Sequence, residues 1–133
     1  MKVLELARRK LITADISTPI NELAKMMWDN IVGSILITEG GRIVGFIDDR
    51  SLFQLIANNI NPLEKNAREI LKTLETIPAD WDVSQAWEFM KTTIGKRFGV
   101  VNDKGEVVGI LQRKNVAKMR LRLLKEELGI EED

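Results

Sequence analysis

The sequence contains no cysteine and no histidine, and those two absences remove most of the chemistry a small protein can perform. Without cysteine there is no disulfide framework, no thiolate nucleophile and no thiolate metal site. Without histidine, Ser-His-Asp and Cys-His catalysis, HExxH zinc sites and imidazole acid–base chemistry each lose an essential member. Neither sign of charge prevails: 20 Lys and Arg balance 20 Asp and Glu, with a pI near 6.4. Global charge therefore gives no pull toward nucleic acid or an anionic membrane surface. No apolar run approaches the roughly 18–20 residues that span a bilayer. The first ten residues alternate charged and apolar side chains, without the continuous core of a signal peptide. The expectation is a cytoplasmic protein with no catalytic residues, no metal and no required cofactor.

What is present is a repeat. Leu11, Thr13, Met27 and Ile31 recur as Leu74, Thr76, Met90 and Ile94, each 63 residues on. Gly41, Val44 and Gly45 recur as Gly105, Val108 and Gly109, each 64 on, so one residue is inserted in the second copy, expected between Ile94 and Phe98. The 133 residues, 44% of them hydrophobic, have room for two half-size copies sharing a core. Their expected bounds are 1–60 and 61–133.

Ile20, Leu23, Ala24, Met27 and Ile31 fall on one helical face, as do Val83, Ala86, Trp87, Met90 and Ile94. Ser17-Thr18-Pro19 and Asp80-Trp81-Asp82 supply start signals, with Pro19 preset for a first turn. Ser34–Thr38 with Arg42–Ile47, and Phe98–Val101 with Glu106–Leu111, read as hairpins closed by glycine-containing turns. A helix follows each hairpin, over 50–57 and 114–128. Each copy is thus strand, helix, hairpin, helix, an α/β arrangement whose small three-stranded sheet needs a second layer. Two βαββα copies packed about a pseudo-twofold axis would provide it. Residues 58–62 read as a turn between copies, followed by a helix-like 67–71.

The end of each hairpin, Val44-Gly45-Phe46-Ile47-Asp48-Asp49-Arg50-Ser51-Leu52 and Val108-Gly109-Ile110-Leu111-Gln112-Arg113-Lys114-Asn115-Val116, resembles the signature of cystathionine-beta-synthase (CBS) domains. That signature is a glycine, two apolar residues, Ser/Thr, two variable residues, Asp and an apolar residue. The resemblance covers nearly the whole chain twice and implies a tandem CBS pair, or Bateman module. It further implies a regulatory homodimer that binds AMP, ADP, ATP or S-adenosylmethionine in a cleft between repeats and signals to an effector protein. In that family the Asp holds ribose hydroxyls, the Ser/Thr lies near the phosphates, and basic residues before the second strand contact phosphate.

The chain departs from the signature where it matters. Asp48 and Ser51 stand at the Ser/Thr and Asp places of the first copy; Gln112 and Asn115 stand there in the second. Lys96 and Arg97 precede the second copy's first hairpin strand, where the first copy has uncharged Val32-Gly33-Ser34. The second cleft is therefore the better candidate, with Ile77, Pro78, Asp80, Lys96, Arg97, Phe98, Gln112, Lys114 and Asn115. The weaker cleft has Thr13, Ile16, Asp48, Arg50 and Ser51.

Each assignment has a structural alternative. Lys96 and Arg97 could simply be solvated cations at a helix end, and Asn115 and Ser51 could be helix caps. Asp48 and Asp49 could hold a cation, but adjacent carboxylates at a strand end are more often exposed. Pro78 restricts Ile77 to extended backbone. Trp87 is expected in the core, and Trp28, off the buried face, at a subunit contact. Ala117, Leu121, Leu124 and Leu128, broadened by Val116, Met119 and Leu123, form a C-terminal helical stripe. It needs a partner: the N-terminal Val3-Leu6-Ala7 or a second subunit. Gly129 ends that helix, leaving an acidic tail of Glu131, Glu132 and Asp133. The rival to ligand sensing is a structural or protein-interaction dimer whose degenerate clefts bind no nucleotide.

Overall fold

In a computed structural model, residues 1–131 are described; Glu132 and Asp133 of the expected acidic tail lie outside them. The elements run α1 (Val3–Leu6), β1 (Thr13–Asp15), α2 (Ile20–Asn30), β2 (Ser34–Glu39), β3 (Arg42–Asp48) and α3 (Asp49–Ala57). A 3-10 turn at Pro62–Glu64 then leads to α4 (Ala67–Ile70), β4 (Glu75–Pro78), α5 (Val83–Met90), β5 (Arg97–Val101), β6 (Val107–Gln112) and α6 (Arg113–Leu128). Isoleucine, leucine and valine make the hairpin strands. Gly40, Gly41 and Gly105 turn them, at φ of 59°, 80° and 78°, where a side chain would be strained.

Two three-stranded mixed sheets result, ordered β1-β2-β3 and β4-β5-β6. In each, the first strand is parallel to the second and the third antiparallel to it. The register relocates the inserted residue. Ser34 pairs with Asp48 and Arg97 with Gln112, and both ladders shift register at equivalent points, after Ile37 and after Val100. The offset is thus already 63 from β2 to β5 and becomes 64 only across the turn, so the insertion lies in the hairpin loop after Val101. It does not lie between Ile94 and Phe98.

Two compact units form, Leu11–Leu74 and Met1–Lys10 with Glu75–Asp133. Each sheet therefore carries a short helical arm that precedes the other repeat in the chain. In the first unit the arm runs through α4 to Lys72, whose N–H and C=O exchange 2.9 Å hydrogen bonds with Phe46. In the second, the arm runs through α1 to Arg8, which exchanges the same two 2.9 Å bonds with Ile110. The signature glycine sits beneath each crossing. A Cβ at Gly45 would strike the Lys72 carbonyl oxygen, and one at Gly109 would lie 3.0 Å from Ala7 Cβ.

One core gathers Ile16, Ile20, Leu23, Met27, Ile35, Ile37, Ile47, Leu55 and Ala67. The other gathers Val3, Ile77, Val83, Ala86, Met90, Phe98, Val100, Leu111 and Val116. Trp87 is partly buried against it, with Leu4, Leu6, Ala7, Met119 and Leu123, so the N-terminal arm and α6 pack on the same core. The face used is Val116-Met119-Leu123; Leu121, Leu124 and Leu128 stay exposed.

Both helical faces also stop short. Ile31 caps α2 at φ 55° and is 93% exposed, and Ile94 lies beyond α5 at 99%. Val32 closes the α2 end instead, its N–H bonding the Met27 carbonyl at 3.1 Å while its side chain packs on the core. Pro19 is the N-cap of α2, one place earlier than a first-turn residue. Asp82 caps α5 in a reciprocal box with Gln85.

Candidate functional site

In the second unit, β5 begins where β6 runs into α6, and the basic pair stands there. Arg97 is the cross-strand partner of Gln112, and the Lys96 carbonyl accepts the Arg113 N–H at 2.9 Å. The sheet thereby gathers Lys96, Arg97, Gln112, Lys114 and Asn115 at one end. Lys96 and Lys114 are exposed; Arg97, Gln112 and Asn115 are half-buried. Asn115 is not a helix cap: Gln112 holds the N-cap position of α6 and makes no side-chain capping bond.

The remaining candidates sit elsewhere in that unit. Parallel pairing sets Pro78 beside Val101, at the far end of β5 from Arg97, and exposed Asp80 lies in the turn beyond. Ile77 and Phe98 are fully buried core side chains, so only their backbone could meet a ligand. Glu75 is the acidic neighbour at the Arg97 end, its carboxylate close to Gly95.

Sequence reasoning missed Arg113. Its guanidinium donates to the carbonyls of Met90 at 2.6 Å, Gly95 at 2.8 Å and Thr93 at 2.7 Å. It also lies 5.9 Å from the Phe98 ring centroid. It closes the C-terminal end of α5, satisfying carbonyls that a helix leaves open.

Arg8 was missed as well. The arm brings it half-buried to the second sheet, its Nη1 donating to the Lys10 carbonyl at 2.9 Å. Burial, and then the like charge of Arg97, lower its pKa from the ordinary arginine value.

The first unit's site is built differently. Asp48, expected at the surface, is only 6% exposed. It caps α3: its Oδ1 accepts from the Ser51 N–H at 2.9 Å and from the Ser51 hydroxyl at 2.8 Å. Ser51 Oγ in turn accepts the Asp48 N–H at 3.3 Å, so Ser51 completes a capping box. Lys72 Nζ adds bonds to the two carboxylate oxygens at 3.1 and 3.4 Å. Burial alone would raise the Asp48 pKa, but Ser51 and Lys72 outweigh it and hold the carboxyl below its ordinary value.

Ile16 is buried in that core, while Thr13 and Arg50 are exposed. A cavity of about 410 Å³ beside α3, lined in part by Ser51, Gln54, Lys65 and Lys72, opens behind the ion pair. Among the described residues no group of three or more Asp or Glu is placed to hold a metal. No described helix is long and apolar enough to cross a membrane.

The model of the CBS domain matches this chain twice, over residues 3–58 and 67–122. The chain belongs to the CBS-domain family. An uncharacterized protein of Methanopyrus kandleri is 29% identical over 86% of this chain, which spans only 60% of that relative's length. A CBS domain protein from Pyrobaculum aerophilum, complexed with AMP, is 26% identical with a TM-score of 0.79, covering 94% of this chain and 97% of that one. The CBS domain pair of protein MJ0100, in complex with 5-methylthioadenosine and S-adenosyl-L-methionine, is 23% identical with a TM-score of 0.77, covering 92% and 98%. The two mixed sheets with flanking helices have the fold of a CBS pair.

Proposed function

We propose that this CBS pair is a non-catalytic regulatory module whose second repeat takes an adenosine-type ligand: AMP, ADP, ATP or S-adenosylmethionine. The observation that carries the reading is the convergence of Lys96, Arg97, Gln112, Lys114 and Asn115 at one end of one sheet. Cations there neutralise phosphate, and amide side chains accept ribose hydroxyls. The AMP complex of the Pyrobaculum relative supports that choice of ligand class. Ligand binding would act by population shift, favouring one arrangement of the module that an effector protein reads.

A homodimer in the cytoplasm is part of the same proposal. Trp28, 84% exposed, sits beside Ile31 with its left-handed backbone, and Leu121, Leu124 and Leu128 form an uncovered row on α6. A second copy would cover such surface.

The rival reading, a structural dimer with degenerate clefts, is favoured at one place only. In the first repeat Asp48, Ser51 and Lys72 satisfy one another, which leaves little for a ligand to do. Thermal unfolding with each of the four ligands separates the readings. A ligand at about a hundred times its dissociation constant adds roughly 2.7 kcal/mol, several degrees for a chain this size. No rise with any of them would leave the structural reading standing.

A further inference from the structure

Three donors converge on one oxygen in the first repeat. Asp48 Oδ1 receives the Ser51 N–H, the Ser51 hydroxyl and the Lys72 ammonium at 2.9, 2.8 and 3.1 Å. All three come from fixed places: the first turn of α3 and the arm that crosses at Phe46.

The second repeat duplicates the donors and omits the carboxylate. Asn115 stands at the Ser51 place in the first turn of α6. Arg8 stands at the Lys72 place, held by the same pair of backbone bonds to Ile110. Arg97, absent from the first copy, adds a second cation close enough to perturb Arg8. At the Asp48 place is Gln112, which does not cap its helix. Among the described residues no carboxylate pairs with Arg8.

We infer that Asp48 is a built-in substitute for an anionic oxygen that the second repeat takes from its ligand. Arg8, Arg97 and the uncapped start of α6 hold a phosphate-type anion, while the first repeat, already filled by its own carboxylate, takes none. This deepens the adenosine-ligand reading by adding Arg8 to the site and confining the charged part of the ligand to one repeat. A guanidinium and helix N–H groups are strong partners for phosphate oxygens.

Amide spectra of the ¹⁵N-labelled chain, titrated with sodium pyrophosphate, test the anion site without a nucleoside. Shifts at Arg97, Lys114 and Asn115 with Ser51 unmoved are expected, and Arg8→Gln should abolish them. Equal movement at Ser51, or no movement in the second repeat, overturns the inference. Calorimetry with AMP and adenosine then splits charge from shape. Arg8→Gln should weaken AMP about 10- to 100-fold, leave adenosine unchanged, and be partly rescued by Arg8→Lys. AMP binding undiminished in Arg8→Gln, or AMP and adenosine weakened alike, contradicts a role for Arg8 in holding the anion. Pyrophosphate shifts without binding of AMP or adenosine would sink the nucleoside reading and leave this one standing.

Discussion

The two repeats share a sheet order, a pairing register and an arm that crosses above a glycine, yet their helix starts differ in kind. In the first, Asp48, Ser51 and Lys72 close on one another, and the carboxylate is buried. In the second, Gln112, Asn115 and Arg8 occupy the same places with no carboxylate among them. One start is complete in itself, and the other presents donors. Duplication preserved the frame because packing demands it, whereas polar residues at a helix start can diverge so long as buried groups stay satisfied.

The glycines give the largest expected effect. The close approach at Gly45 is to backbone, the Lys72 carbonyl, and at Gly109 to the Ala7 methyl. Gly45→Ala should cost about 3 kcal/mol or more, as severe overpacking does, and Gly109→Ala about 1 kcal/mol. Urea unfolding of both variants measures the difference; equal losses would mean the arms cross the two sheets equally closely.

Arg113 is the next test of asymmetry, because its counterpart in the first repeat is Asp49. Removing its three carbonyl contacts at the end of α5 with Arg113→Ala should cost about 2 kcal/mol. Asp49→Ala should change stability little. A null result for Arg113→Ala would place the closure of α5 elsewhere.

Acid acts on the first repeat through Asp48. A carboxyl whose folded pKa lies below its unfolded value stabilises the fold above the unfolded value, about 3.9 for aspartate, and that contribution disappears as pH falls through the folded pKa. Asp48 is such a group, held down by Ser51 and Lys72 against its burial. The unmodified chain should therefore lose stability below about pH 4 more steeply than Asp48→Asn. Gln112→Ala should leave that limb unchanged, and parallel acid limbs for the unmodified chain and Asp48→Asn would remove the ion pair from the account. Smallest of all is the Trp28 response: on dilution of a dimer its fluorescence should shift to the red with no change in fold.

Much of this frame was legible from residue pattern. Glycine turns between β-branched runs gave both hairpins, and Asp82 announced α5. Residue pattern misplaces the insertion because apolar matching tolerates a one-residue slide through a loop; the Thr38–Ile43 and Val101–Val107 pairings locate it. The N-terminal arm is legible in part, as apolar Val3-Leu6-Ala7 matched to the C-terminal helix, but the place where it crosses the sheet is not. Arg8 joins residues that begin at Glu75, and no local pattern signals which strand residue it pairs with. Asp48 reads as a surface group because its neighbour is another aspartate, while Lys72, which neutralises it, lies 24 residues away. The duplication itself offered a clue, since an offset of 64 maps Arg8 onto Lys72.

Calorimetric titration of the unmodified chain with AMP, repeated on the Lys96→Ala, Arg97→Ala double variant, tests the asymmetry most directly. One site per chain is expected, lost in the double variant. Two equivalent sites per chain, or a titration the double variant leaves unchanged, would contradict it.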